Sequence, residues 1–368
     1  MPNYDFSELA SIININSYTK NKAGVDDVAG VFSSLMTPLG FEVVTHEREH
    51  IGNHTHYVSP KRAGRKILAL GHFDTVFPPN TFTDFSEDDA WIYGPGVCDM
   101  KGGNHVLLEA LRKVKAESGE ISNIDVLMVS DEESGSDDSK SLTRDIVKDY
   151  DLCLVFEAAG INQDVVIARK GIATFHIDIE GKAAHAGNHY EDGVNANLAA
   201  AHMLIALTNL TDIEKGTTVN AGKMQGGIGA NTISPSAKLI VEARFTQSSE
   251  RDRVLKAFEN ITETPHIEGV KVNLSGGLQR DVMQPSDHQK AYISELEALL
   301  GKSLVLEKRG GVSDANVASS TGVATLDGFG PYGDGDHTVH ERACKKSYIE
   351  RIEDVATILK GVAGTNAK

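Results

Sequence analysis

The sequence predicts an α/β fold with a second, ferredoxin-like α+β domain inserted into it. Three observations carry that expectation. In the first half, apolar runs of strand length alternate with a helical pattern, as a mostly parallel sheet covered on both sides requires. Each of those runs ends in polar or acidic residues. After about residue 171 the runs alternate apolar with polar residues, and the order becomes β-α-β-β-α-β.

The elements follow in chain order. Residues 66–71 read KILALG, a buried strand, and HFDT follows it. A helix is expected over 103–116, with Val106, Leu107, Leu111 and Val114 on one face. Residues 124–131, IDVLMVSD, form a second strand that runs into Asp131, Glu132 and Glu133. Residues 152–157, LCLVFE, form a third, ending at Glu157. In such sheets the functional groups gather at the C-terminal ends of the strands. The inserted part reads as a strand at 172–180, a helix at 195–210, strands at 217–225 and 236–245, a helix at 249–262 and a strand near 268–274. The expected domains are therefore 1–171 with 283–368, and 172–282 between them.

The chain has 368 residues, 40 % of them hydrophobic, so a disordered or collagen-like chain is excluded. Its formal charge of −16 disfavours nucleic acid as a partner. Three scattered cysteines, Cys98, Cys153 and Cys344, make no disulfide framework. No secretory leader and no membrane-length apolar run is legible, so a cytoplasm is the expected setting, with a secreted chain whose leader has been removed as the alternative.

Four constellations can carry chemistry. In His72-Phe73-Asp74 the first and third side chains point the same way, so His72 can bind a metal while Asp74 accepts its second ring N–H. An ordinary surface pair is the plain alternative. Asp99 lies between a glycine-rich approach and a helix start, where it is either a helix cap or a carboxylate bridging two metals. Its neighbour Cys98 is either a small buried hydrophobe or a thiolate. Asp131-Glu132-Glu133 is either a solvated acidic turn or a metal ligand beside a general base. The segment Gly333-Asp334-Gly335-Asp336-His337-Thr338-Val339-His340-Glu341 offers two histidines. Taken together, His72, Asp99, Glu133, Glu157 and His337 supply two imidazoles and three carboxylates, a donor set suited to two Zn²⁺ ions. If Asp99 bridges, Glu132 is left as the base for a metal-activated water.

These motifs resemble the di-zinc family of acetylornithine deacetylase, succinyl-diaminopimelate desuccinylase, aminoacylase and carboxypeptidase G (glutamate carboxypeptidase). The resemblance runs from about residue 66 to 360. It rests on His72-Phe73-Asp74-Thr75, on Gly94 to Gly103 with its Asp99-Met100-Lys101-Gly102-Gly103 core, and on Asp131-Glu132-Glu133-Ser134-Gly135. Phe156-Glu157-Ala158 and the closing pair His337 and Glu341 complete it. The resemblance implies a phosphorylase/hydrolase-like zinc-peptidase catalytic domain. It implies two Zn²⁺ per subunit (Co²⁺ or Mn²⁺ in their place) on His72, Asp99, Glu133, Glu157 and His337, which chooses His337 over His340. It implies Glu132 as the base and Asp74 as the partner of His72. On the inserted domain, which the resemblance makes a dimerisation and lid domain, His185 would hold the reacting carbonyl, supplied by the partner subunit in dimeric members. Asn231 and Arg244 would grip a substrate carboxylate.

The expected function is a metal-dependent amide hydrolase acting on a small peptide or N-acyl amino acid. A glutamate carboxypeptidase-like exopeptidase ranks first and an N-acyl-amino-acid deacylase second. A non-catalytic relative should have lost Glu132 or a ligand, and all are present. A homodimer is expected, with the strand at 172–180 offering an edge and the helix at 195–210 a face.

Overall fold

In the computed structural model of the chain, the apolar run that precedes the first candidate ligand forms the strand Ile67–His72, buried along its whole length. The structure describes residues 4–264 and 266–363. The expected domain ends at 1–3 and 364–368, and residue 265, lie outside them. The chain divides into two units. One comprises the described parts of Met1–Ile167, Pro285–Arg309 and Ser313–Lys368, the other those of Ala168–Gln284 and Gly310–Val312.

The first unit is built on a six-stranded sheet. Its order is Glu42–His46, His54–Val58, Ile124–Val129, Ile67–His72, Leu152–Val155 and Ala324–Leu326. The last four are mutually parallel, and the first two form an antiparallel hairpin at the edge. Register pairs His72 with Val129, so the polar ends of neighbouring strands emerge side by side. The expected helix starts two residues early, as Lys101–Ser118, and buries Val106, Leu107, Leu111 and Val114 as foreseen. Its two leading glycines explain the early start. A Cβ on Gly102 would lie 2.0 Å from the Val97 carbonyl oxygen, and one on Gly103 2.0 Å from that of Phe156. Only glycine lets the helix start press against the strand end that carries Glu157.

A smaller antiparallel sheet orders Gly333–Asp334, Arg342–Cys344, Trp91–Tyr93 and Ser86–Glu87. Arg342 pairs with Tyr93. This pairing draws the turn that bears His337 towards the loop that bears Asp99.

The second unit is a four-stranded antiparallel sheet in the order Thr218–Gly226, Ser236–Phe245, Gly171–Glu180 and Lys271–Arg280. Helices Ala196–Thr208 and Ser248–Glu263 share a core with Phe175, Ile177, Leu239 and Val241 on one face of it. Asn195 caps the first helix by accepting the Leu198 N–H at 3.1 Å. One expectation is corrected here. The strand expected at 172–180 is no edge, because it pairs on both sides. In a β-α-β-β-α-β unit the helical crossovers leave the second and fourth strands outside, so Thr218–Gly226 and Lys271–Arg280 are the edges. The last strand also extends past its expected end at 274. Gly276 and Gly277, at φ 89° and 141°, stay in register with Phe175 and Thr174, and the break comes only between Leu278 and Arg280.

Candidate metal centre

Five residues expected as ligands come from five separate segments of the first unit. His72 ends its strand, and Asp99 sits two residues before the helix Lys101–Ser118. Glu133 lies in the short 3₁₀ turn Glu132–Ser134 that follows Ile124–Val129. Glu157 follows Leu152–Val155, and His337 lies in the turn between Gly333–Asp334 and Arg342–Cys344. Folding brings them together around Asp99. One of its oxygens, Oδ1, is 3.2 Å from His72 Nε2, and the other, Oδ2, is 3.3 Å from His337 Nε2. His72 Nε2 is also 3.7 Å from Glu157 Oε1, and His337 Nε2 is 3.1 Å from Glu133 Oε2. The result is two groups of three donors, His72–Asp99–Glu157 and Asp99–Glu133–His337, each with ligand atoms within 4.8 Å of one another. His340 belongs to neither group.

Local backbone explains the placements. His337 adopts φ 62°, and Gly335 adopts φ 76° where a Cβ would meet the His340 carbonyl oxygen at 2.7 Å. That tight turn presents the His337 ring and leaves it half exposed. Asp131, the first of the three acids, has a separate task. Its Oδ2 accepts the N–H groups of Asp138 and Ser139 at 2.8 and 3.3 Å and so holds the start of the helix Ser139–Val147. The cluster thus splits into a structural cap and two acids at the centre.

The outer contacts refine the expectation for Asp74. His72 Nδ1 is nearest to the Asp74 main-chain carbonyl, at 3.0 Å, with Asp74 Oδ1 at 3.3 Å. The strand end curls back far enough for the carbonyl to serve. The other carboxylate oxygen accepts from Thr19 Oγ1 at 2.7 Å and from the Glu133 N–H at 3.2 Å, tying the two histidine groups together. Asn104, on the helix that follows Asp99, donates to the His72 carbonyl oxygen at 2.7 Å. Sequence reasoning missed Thr19 and Asn104. Asn104 was within reach, since it lies one helical turn beyond Asp99.

The electrostatics mark an excess of negative charge. Burial, and then the charge of Asp99, push the Glu133 carboxyl up to about 8. The same causes raise Glu157 well above the ordinary carboxylate range. The charge of Glu132 contributes to both shifts. Burial also opposes ionisation of Asp99, but hydrogen bonds from His337 and His72 hold it far below the usual range. Those to Asp99 and Glu133 push His337 up to about 11. Cys98 is buried and belongs to neither donor group, and burial raises its thiol well above its usual value. Among the described residues no lysine or arginine pairs with Asp99, Glu133 or Glu157. Buried carboxylates that repel one another, with two imidazoles and no lysine or arginine partner, fit a pair of divalent ions.

The remaining expected residues belong to the second unit and are described within it. His185 is exposed, and its Nδ1 accepts the N–H groups of Gly187 and Asn188 at 3.2 and 3.1 Å. That leaves the proton of the neutral ring on Nε2. Asn231 is its neighbour, since the Asn231 carbonyl accepts the Ala186 N–H at 2.9 Å and His185 bridges to Thr232. Arg244, on Ser236–Phe245, already has partners. Its Nε is 2.7 Å from Glu242 Oε1, and its Nη1 donates to the Gly310 carbonyl oxygen at 3.1 Å.

Comparison with known proteins bears on this geometry. The family described as Peptidase family M20/M25/M40 matches residues 68–363. Carboxypeptidase G2 of Pseudomonas sp. (strain RS-16) is 28 % identical over 344 residues, covering 90 % of this chain and 82 % of that protein. Succinyl-diaminopimelate desuccinylase of Helicobacter hepaticus is 25 % identical, covering 91 % of this chain and 92 % of that one. Among solved structures, aminopeptidase PepT from Bacillus cereus aligns with a TM-score of 0.80 at 26 % identity, covering 97 % of both chains.

Proposed function

The chain belongs to peptidase family M20/M25/M40 and is a metallopeptidase-type hydrolase of peptide or amide bonds, and from that premise we propose a glutamate carboxypeptidase-like exopeptidase. The reading rests on one observation above the rest: two donor groups share Asp99, and among the described residues no lysine or arginine pairs with them. The proposed ligands are His72, Asp99 and Glu157 for one ion and Asp99, Glu133 and His337 for the other. Zinc is the proposed metal, with cobalt or manganese as substitutes. Two such ions, when bound, supply Lewis acidity and lower the pKa of water.

The chain's own residues do the rest. Glu132, the residue before the ligand Glu133, takes the proton from the attacking water and later delivers it to the leaving amine. Asp74 orients His72 through its carbonyl and couples it to the Glu133 turn through its carboxylate. His185, carrying its proton on Nε2, donates to the reacting carbonyl. Asn231 and Arg244 hold the substrate's free carboxylate, and for Arg244 this means exchanging Glu242 for the substrate. We assign the second unit to dimerisation and closure. Its helix Ala196–Thr208 exposes Leu198 and Ile205, at 43 % and 59 %, and the edge strand Thr218–Gly226 exposes Met224 at 44 %. A second copy would cover these apolar side chains. No helix among the described residues is long and apolar enough to cross a membrane. A cytoplasmic setting is part of the proposal.

The likeness to the desuccinylase supports a second reading, removal of an N-acyl group from an amino acid. A hydrolysis screen separates the two. Peptides ending in glutamate, N-acetyl and N-succinyl amino acids and tripeptides are offered with Zn²⁺, Co²⁺ or Mn²⁺. Preferred release of C-terminal glutamate supports the first reading. Preferred deacylation selects the second, and release of N-terminal residues overturns both. Mixing Glu132→Ala with His185→Ala subunits tests the shared site. Activity that returns after subunit exchange supports it, and its absence after confirmed exchange removes the partner's role.

A further inference from the structure

Glu341 is fully buried, and it ligates nothing in either donor group. Its carboxylate faces the main chain of the Asp99 loop. Oε2 accepts the Gly96 N–H at 3.1 Å, and Oε1 accepts those of Cys98 and Asp99 at 2.9 and 3.0 Å. The Gly94 N–H closes the same contact from outside, on the Glu341 carbonyl oxygen at 3.4 Å. Gly94 and Gly96 adopt φ 148° and 86°, conformations that turn these N–H groups towards one point. The far side of the loop is held as well. Lys101 is buried, and its Nζ donates to the carbonyl oxygens of Ile12 and Ile15 at 3.2 and 2.7 Å.

We propose that Glu341 is the positioning residue for Asp99, fixing the main chain of residues 96–99 so that each Asp99 oxygen faces one donor group. The inference rests on the two-ion reading of the centre. It carries a distinctive consequence, because Asp99 is the one residue both groups share. Loosening its loop weakens both ions together. A second route from Glu341 is available for contrast: its N–H donates to the Thr338 carbonyl oxygen at 3.2 Å, in the turn that carries His337. A role through that turn weakens only the ion on Glu133 and His337.

Glu341→Gln tests the difference, since it keeps the shape but sets an amide N–H against the loop's own donors. Zinc affinities are measured by chelator competition on metal-stripped protein, and the two sites are followed by cobalt absorption. The expected result is a parallel loss at both sites of about 10- to 100-fold, the range for a residue that orients a ligand. The melting temperature of the stripped protein should change little. Glu341→Asp, which keeps the charge but shortens the reach, gives the same readout if the Gln variant does not fold. Loss at one site only, or unchanged affinities in a protein whose wild type binds two ions, overturns the assignment and leaves the two-ion reading standing. A wild type that binds fewer than two ions overturns both.

Discussion

Two clusters in the first unit are made of the same parts and behave oppositely. Glu8, His105 and Glu109 place one imidazole and two carboxylates within 4.8 Å of one another, as do Asp99, Glu133 and His337. In the first cluster Arg112 stands among the acids, its Nη1 2.7 Å from Glu8 and hydrogen-bonded to Glu109 as well. His105 Nε2 adds a contact to Glu8 at 3.0 Å. Hydrogen bonds from His105 and Arg112 hold the Glu8 carboxyl down at about 2. In the second cluster no described arginine or lysine pairs with the acids, and burial drives Glu133 up to about 8 against the opposing pull of His337 and His72. Donor spacing alone therefore does not mark a metal site. What marks it is donor spacing together with the lack, among the described residues, of a lysine or arginine paired with the acids.

The largest effect expected is on turnover. Glu132→Ala should lower kcat by at least about 10²- to 10⁴-fold, the range for a general base, while two metals per chain remain. Kinetics with metal analysis on one preparation checks it. Loss of metal in that variant would make Glu132 a ligand and redraw the centre. Next, His337→Ala should cost one metal and His340→Ala neither. The reverse would move the second donor group and break the likeness to the Glu8 cluster.

Acidity sharpens the contrast further. Glu133 titrates near 8 in the fold against an ordinary 4.5, so between those values the metal-free fold holds a proton that the unfolded chain has lost. Stability of the stripped protein must fall as pH rises through that window. His337, raised from 6.5 to about 11, adds the same sign from 6.5 upward. Glu8 runs the other way: its contribution is intact above 4.5 and is lost as pH falls towards 2. Melting curves of stripped protein at pH 5, 6.5 and 8 should show the decline. Added zinc should oppose it, because ligation displaces those protons. A flat profile without metal would deny the excess charge. The smallest effect is at Arg112. Because its ion pairs are partly exposed, Arg112→Met should cost about 1 kcal/mol in urea unfolding and leave the Asp99 centre loaded. If the cation is what separates the clusters, millimolar zinc should raise the melting temperature of this variant above that of loaded wild type. No zinc response would break the comparison.

Much of the catalytic sheet is legible in the chain because burial on both faces leaves a plain record. Ile67–His72 and Ile124–Val129 are fully buried strands; the first reads as an apolar run up to His72, the second is broken only by Asp125, and both lead into polar residues. The first 65 residues carry no such record. The hairpin Glu42–His46 and His54–Val58 is only partly buried and mixes polar with apolar side chains, so nothing in its sequence announced it. The strands of the small sheet are two or three residues long, too short for any period to show.

The sequence by itself determined which side chains are chemically able to meet: an acid or imidazole after each buried strand, and glycines where the helix start must approach a neighbouring carbonyl. Local patterning suffices for that, because strand ends and close approaches leave their marks on adjacent residues. Only the tertiary structure decided how those groups are held and balanced. Glu341 reaches the Gly96 N–H across 245 positions, and Arg112 reaches Glu8 across 104. The interior place of Gly171–Glu180 follows from which strands flank it. A hydrogen bond or a neutralising charge between distant segments has no period and no spacing, so it exists only once the chain has folded.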